Sequence, residues 1–286
     1  GATQVTIFEA GPGLLSSCEP EAGQLVADAL TKRGVDVRTG VKVDRVERRR
    51  APGLVTIYPE SGDAIEADEV LVAAGREPRT DDLGLESVGL EPGTWLDVDE
   101  SCRVKGPGRD WLYAAGDVNH RALLTHMGKY QARICGDAIA ARARNAPIAT
   151  VSWGPFNATA DSRAVPQVIF TEPQVGAVGL TQAQAREQGI EVHAVEYDLG
   201  NVAGAALYAD HYRGWAKMLV DPDRRVVLGA TFVGPGVAEL VHAATVAVVG
   251  EVPLDRLWHA VPSYPTLSEI WLRLLETYRK DQGRAS

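Results

Sequence analysis

Apolar and polar positions along the chain change period several times, and each change marks an element. Val5-Thr6-Ile7-Phe8 is a β-branched and aromatic run, the pattern of a buried strand. It ends in Glu9, and Gly11-Pro12-Gly13 turns the chain. Over 19–34 the apolar positions Leu25, Val26, Ala29 and Leu30 recur at helical spacing, and Gly34 supplies the stop. Val35–Arg38 reads as a second strand, so this stretch predicts the strand–helix–strand unit of a parallel sheet. The period then shortens. Residues 41–47, 54–59 and 69–74 read as strands of a small meander, with polar turns at Ala51-Pro52-Gly53 and Glu60–Asp63. Residues 78–110 are loop-rich, Trp111–Asp117 reads as a strand, and 124–143 as an alanine-rich helix.

Residues 144–164 carry linker composition, with Asn145, Pro147, Gly154 and Pro155. From 165 onward the pattern is α+β. A strand is predicted over 165–173 and a helix over 180–189, with Thr181 as N-cap and Gly189 as stop. Strands follow at 191–199, 214–221 and 226–234, the last two joined through Pro222-Asp223. A helix over 237–249 and a final amphipathic helix complete the chain. Between them Ser263–Glu269 reads SYPTLSE, where Pro265 restricts Tyr264 to extended backbone.

The 286 residues suffice for two ordinary domains or three small ones. With 45% hydrophobic and 23% charged residues the chain has a globular composition. A net charge of −9 without a basic stripe argues against nucleic acid as a partner. The one dense basic run, Arg45–Arg50, reads as a solvated strand end. No apolar stretch has bilayer-spanning length and no signal peptide opens the chain, so a membrane partner is not expected and the cytoplasm is the expected location. Cys18, Cys102 and Cys135 are far apart and form no CxxC or CxxxxC pair, so neither a metal site nor a redox dithiol is expected, and buried or surface thiols without a chemical role are.

Two strand ends carry candidate chemistry. An acidic residue at the position of Glu9 can accept hydrogen bonds from adenosine ribose hydroxyls and would repel a 2′-phosphate, which favours NADH over NADPH. The alternative is a plain strand-end carboxylate. Gly116-Asp117 ends a predicted strand where ligand hydroxyls bind in α/β sheets, and the helix that follows aims its first amides at the same place. The alternative for Asp117 is a turn or cap residue.

Longer motifs add to this. Residues 71–86, LVAAGREPRTDDLGLE, resemble the A-T-G-R-x-P-N segment of the flavoprotein pyridine nucleotide–disulfide oxidoreductases. WLYAAGDV at 111–118 looks like their second FAD motif, and LLTHMG at 123–128 like their flavin-side helix start. Residues 166–185 and 214–242 are similar to parts of their dimerisation domain. The resemblance covers essentially the whole chain, in order. It implies an α/β chain with partial Rossmann-like NAD and FAD domain segments, 1–74 and 75–148, followed by an α+β dimerisation domain over 160–286. The family's dinucleotide glycine motifs and its redox dithiol are absent here, so the resemblance implies the latter portion of such a protein. An exposed sheet edge and a less stable N-terminal part are then expected.

What the resemblance implies about function follows residue by residue. FAD and NAD are the expected cofactors. Gly75, Gly116, Asp117, Leu124, Thr125 and His126 are expected on the flavin, and Glu9 on the NAD ribose. The family's H-P-T-x-S-E stretch matches Pro265, Thr266, Ser268 and Glu269, with Tyr264 in place of the histidine that serves the redox thiols. A tyrosine titrating near 10 is a poor base at neutral pH and mainly donates a hydrogen bond. Tyr264 and Glu269 are therefore expected to shape, from the partner subunit of a homodimer, the site of a small-molecule acceptor: a quinone, a disulfide or a metal ion. The alternative reading is a dimerising scaffold without catalysis.

Overall fold

The computed structural model describes residues 4–48, 53–106, 108, 110–149 and 151–285. Arg49, Arg50, Ala51 and Pro52, which belong to the basic run and the first predicted turn, lie outside the described residues. The chain forms two compact units, one of Gly1–Ala73 with Val168–Ser286 and one of Ala74–Gln167.

In the first unit β1 (Val5–Glu9) and β2 (Val35–Thr39) pair in parallel around α1 (Pro20–Lys32), the strand–helix–strand arrangement expected. Pro20 starts α1, where its missing N–H costs no helical bond, and the left-handed Gly34 closes the turn by donating to Thr31 O. β3 (Val43–Arg48), β4 (Val55–Pro59) and β5 (Ile65–Ala67) form an antiparallel meander. The strand expected over 69–74 does not form. This run pairs with no strand among the described residues, and Leu71 and Val72 are 93% and 74% exposed. An apolar run becomes a strand only where a neighbour takes its backbone bonds, and this one has none.

The second unit holds α2 (Thr125–Ala143) and the single turn α3 (Ala160–Arg163). Its cores are Leu85, Leu96, Val98, Val104 and Ala114, and Cys102 with Cys135 and Ala158. The strand expected over 111–117 is reduced to one bridge, Arg103 to Tyr113, with Val104 N donating to Leu112 O and Ala114 N to Cys102 O. The segment has one short neighbour rather than a sheet.

The first unit resumes with β6 (Gln167–Ile169), β7 (Gln174–Gly179) and α4 (Gln182–Glu187). Thr181 caps α4 in a reciprocal box: its Oγ1 accepts from Gln184 N at 3.2 Å, and Gln184 Oε1 accepts from Thr181 N at 2.9 Å. β8 (His193–Asp198), α5 (Ala203–Tyr208), β9 (Trp215–Asp221), β10 (Val226–Gly234), α6 (Val241–Val249), α7 (Leu254–Leu257) and α8 (Glu269–Ala285) follow. Five strands form one antiparallel sheet in the order β6-β7-β10-β9-β8. The β9–β10 hairpin turns as expected at Pro222-Asp223, where Asp221 Oδ1 accepts from the amides of Asp223 and Arg224. β7 and α5 have no counterpart in the sequence reading, since glycines and alanines dilute both patterns.

α8 lays Ile270, Leu274 and Tyr278, four residues apart, against the sheet. The rings of Trp271 and Phe232 meet edge to face at 5.9 Å. Each fully buried side chain such as Phe232, Leu219 or Ile270 contributes roughly 1.5–3 kcal/mol. On α1, Ala22 and Val26 join Cys18, Val175 and Val233 in one cluster. Beside it the buried Glu19 carboxylate accepts from Gln182 N at 2.7 Å and from Lys217 Nζ at 3.1 Å. Burial alone pulls the Lys217 ammonium down, but Glu19, Glu21 and Glu196 outweigh it and hold it above the ordinary lysine value.

Lys217→Met leaves the Glu19 charge buried without its cation, so a loss of about 3–5 kcal/mol is expected in urea denaturation. The double variant Glu19→Gln/Lys217→Met should recover much of it. Because the Lys217 value is raised, its contribution is complete below the unfolded lysine value and fades as pH rises through the folded one, so the thermal midpoint of wild type should fall further in that alkaline range than that of the double variant. A single variant as stable as wild type would refute the assignment. Burial pushes the Cys102 thiol up to about 12, with the Asp161 charge adding to it, and burial also raises Cys18 and Cys135. A thiol reagent at about pH 8 should leave all three unlabelled until the protein unfolds; rapid labelling of the native protein would contradict this.

Candidate functional site

The second unit brings together two motifs that are far apart in sequence. Gly75 has φ +127°, a conformation that suits glycine, and nothing lies within 4 Å of where its Cβ would stand. Next to it Arg76 Nη1 donates to Asp117 Oδ2 at 3.2 Å and to Leu123 O at 2.5 Å. Arg76 and Asp117 are each half-exposed, so their ion pair adds at most about 1 kcal/mol to folding. Its effect is to place an acceptor carboxylate and a guanidinium beside the residues that open α2.

Gly116 adopts φ +87° and ψ −158° and lets the chain touch the helix. A Cβ on Gly128 would stand 3.2 Å from Gly116 Cα. Residues 117–119 form a tight turn, with His120 N donating to Asp117 O at 2.9 Å.

The N-terminus of α2 lacks the usual compensations. Leu124 occupies the cap position without a side-chain acceptor, and the first turn contains no acidic residue. The partial positive charge of the helix end is therefore not neutralised by its own residues. His126 is exposed, and its Nε2 lies 2.7 Å from Pro166 O, which assigns the proton to Nε2. A helix end of this charge, a half-exposed carboxylate and an open glycine suit a ligand that is electron-rich in one part and bears hydroxyls in another. Gly75, Gly116, Asp117, Leu124, Thr125 and His126 thus lie in one unit. Arg76 is not singled out by the sequence reading; its place directly after Gly75 in LVAAGREPRTDDLGLE is the available signal.

The remaining expected residues are in the other unit. Glu9 ends β1, and its Oε1 accepts from Gly11 N at 2.7 Å across the turn. Val41 N donates to Glu9 O at 3.0 Å, which fixes the strand end beside β2. Tyr264 is 77% exposed, next to Val261 at 85%. Glu269 is buried at 5% and its Oε2 accepts from Gly204 N at 3.2 Å, so it holds the start of α5. Among the described residues no hydrogen bond joins Tyr264 to Glu269. No group of histidine, cysteine and carboxylate side chains among them could hold a metal ion, and no helix is long and apolar enough to cross a membrane.

Comparison with known proteins places these motifs in a family. The pyridine nucleotide-disulphide oxidoreductase model matches residues 1–136, and the dimerisation-domain model of the same family matches 165–274. A dihydrolipoyl dehydrogenase of Geobacillus stearothermophilus is 30% identical over 278 residues, covering 96% of this chain and 55% of the relative. A mercuric reductase of Staphylococcus aureus is 30% identical over 285 residues, covering 99% and 49%. The structure of the HOCl-induced flavoprotein disulfide reductase RclA of Escherichia coli superposes with a TM-score of 0.77 at 25% identity, over 96% of this chain and 59% of that one. The chain spans about half the length of the curated relatives it matches. With both family models matched in order and the fold shared, the chain belongs to the pyridine nucleotide-disulphide oxidoreductases, a family of FAD-dependent enzymes that use NAD(P)H.

Proposed function

We propose that the protein is a cytoplasmic, homodimeric flavoenzyme that takes electrons from NADH and delivers them to a small-molecule acceptor. One observation supports this above the others: Gly75-Arg76 and Gly116-Asp117 meet beside the unneutralised N-terminus of α2. FAD fits these residues and, when bound, would supply the two-electron relay between nicotinamide and acceptor. Asp117 would accept from a ribityl hydroxyl. The Leu124 amide donates to Ala122 O at 2.8 Å, so Leu124 would line the site while the first amides of α2, at Thr125 and His126, would face the carbonyl edge of the flavin and favour negative charge there. With its Nε2 proton engaged by Pro166, His126 serves as a fixed wall rather than a proton carrier.

Glu9 would accept from the ribose hydroxyls of NAD, and its charge opposes a 2′-phosphate, hence NADH over NADPH. The oxidoreductase match over 1–136 favours this reading over a scaffold that only dimerises. Dimerisation itself is supported by the matched domain and by the exposed apolar side chains Leu207, Val261 and Tyr264. The Tyr264 hydroxyl, in an exposed ring, suits donation to a quinone oxygen better than proton abstraction from a thiol. Glu269 serves this site indirectly: its carboxylate holds Gly204, which packs against the Thr266 backbone of the segment that carries Tyr264.

The test is an anaerobic NADH titration of the FAD-loaded protein, followed by quinone turnover. NADH should bleach the flavin, and NADPH should do so much less well. Asp117→Ala should weaken FAD binding about tenfold, the loss of a charge-assisted hydrogen bond. Tyr264→Phe should lower kcat/KM for the quinone severalfold and leave the NADH half-reaction unchanged. A flavin that NADH cannot reduce would overturn the reading, and a dimer that takes up no FAD would favour the scaffold.

A further inference from the structure

Helix α2 buries Met127, Gln131, Cys135 and Ala138 along one stripe, at helical spacing. Three of the four are small or apolar. Gln131 is an amide with no exposed surface, and a buried amide is tolerated only when each of its groups is paired. Its pairs are specific. Oε1 accepts from Gly116 N at 2.7 Å and from Asn119 Nδ2 at 2.8 Å. Nε2 donates to Asp161 Oδ2 at 3.0 Å. The amide has one workable orientation, because a flip would set its N–H groups against two other donors and its oxygen against a carboxylate. Asn119 is fixed in turn: Nδ2 also donates to Ala114 O at 3.1 Å, and Oδ1 accepts from Arg121 N at 3.1 Å.

We propose that Gln131 is a positioning residue for the cofactor loop. Oriented by Asp161, it holds the Gly116 amide and so sets the direction in which Asp117 leaves the surface of α2. The inference rests on the reading of Asp117 as a flavin ligand. Three features support it. Gln131 lies one turn beyond Gly128, whose backbone packs closely enough on Gly116 to seat the same loop on the same helix face. Gln131 binds the loop at Gly116, the residue before Asp117, as well as through Asn119. Asp161 is enclosed where it can serve Gln131: its side chain is 5% exposed, its Oδ1 has no hydrogen-bond partner among the described residues, and Oδ2, which accepts from Gln131, also pairs with Arg121 Nη1 at 3.7 Å. Burial pushes the Asp161 carboxyl up, while Gln131 and Arg121 draw it back. The segment 144–164, which reads as a linker, thereby carries the acceptor that orients the flavin-side loop.

The experiment follows the Gly116 amide by hydrogen exchange in labelled protein, and FAD affinity in parallel. Gln131→Leu leaves that amide without its acceptor, so exchange should speed at least about tenfold. Asp161→Ala should speed it by a smaller factor, because the Gln131 amide loses its Nε2 anchor while Gly116 and Asn119 still select its oxygen. Asp161→Asn should restore protection, since its carbonyl can still accept from Nε2. Gln131→Glu gives a test that packing alone cannot pass. Its carboxylate can accept from Gly116 and Asn119, but its second oxygen faces the Asp161 carboxylate, and the pair holds together only while the two share a proton. Protection of Gly116 should therefore be present at low pH and lost as pH rises. The other ionisable groups near Asp161 are Arg121, Tyr130 and Cys102. Burial raises Tyr130 and Cys102, so neither of them titrates between about pH 5 and 8. Unchanged Gly116 exchange in folded Gln131→Leu and Asp161→Ala would overturn the proposal; should the leucine variant not fold, the two Asp161 variants and Gln131→Glu carry the decision. Faster exchange with unchanged FAD affinity would instead overturn the placement of the flavin at Asp117.

Discussion

The close approach of Gly116 to Gly128 is the constraint on which the candidate site depends. A Cβ on Gly128 would crowd Gly116 Cα at 3.2 Å, and Gly116 itself takes φ +87°, so the approach favours glycine at both positions, by contact at one and by backbone conformation at the other. Their packing brings the turn at 117–119 onto the face of α2 and puts Asp117 in reach of Arg76. Glycine supplies the proximity but no direction. Direction comes from the turn at 117–119, from Arg76 Nη1, which donates to both Asp117 and Leu123, and from the buried Gln131 amide. An exposed ion pair such as Arg76–Asp117 contributes little to stability, which is what a ligand-facing pair should show, since it exchanges partners at low cost.

The first unit is organised by the opposite arrangement, a buried charge pair. Glu19 and Lys217 are separated by 198 residues of sequence, yet both are almost fully enclosed. Glu19 also accepts from the first amide of α4, so one carboxylate joins α1, β9 and α4. Removing charges from water is costly, and the enclosure is viable because every oxygen of Glu19 has a donor. The pair fixes how the strand–helix–strand segment meets the five-stranded sheet, where apolar packing among Cys18, Ala22, Val26, Val175 and Val233 gives energy without registry.

Much of this was legible in the sequence where the signal was local. The β1–α1–β2 unit, the Thr181 cap, the Pro222-Asp223 hairpin and α8 each announce themselves through spacing and turn chemistry. What failed depended on neighbours. Residues 69–74 have the apolar content of a strand and 111–117 its hydrophobic start, but strand formation requires a partner, and the period of a sequence does not report one. β7 was hidden because Gly176 and Gly179 break its pattern. The candidate ligands Asp117 and Leu124–His126 were visible from motif position. Gln131 was overlooked, although a glutamine on the stripe Met127-Cys135-Ala138 is itself a sign of internal partners. Asp161 could not be found this way, since its role depends on a side chain thirty residues distant.

The proposed activity requires that 75–76, 116–117 and 124–126 form one side of a flavin site. A hydrogen-exchange footprint of FAD on the protein, taken with and without saturating cofactor, tests this. Slowed exchange is expected in peptides covering those three segments, with unchanged exchange in α8 and in the meander of β3, β4 and β5. Protection that leaves all three segments untouched while FAD is bound would contradict it.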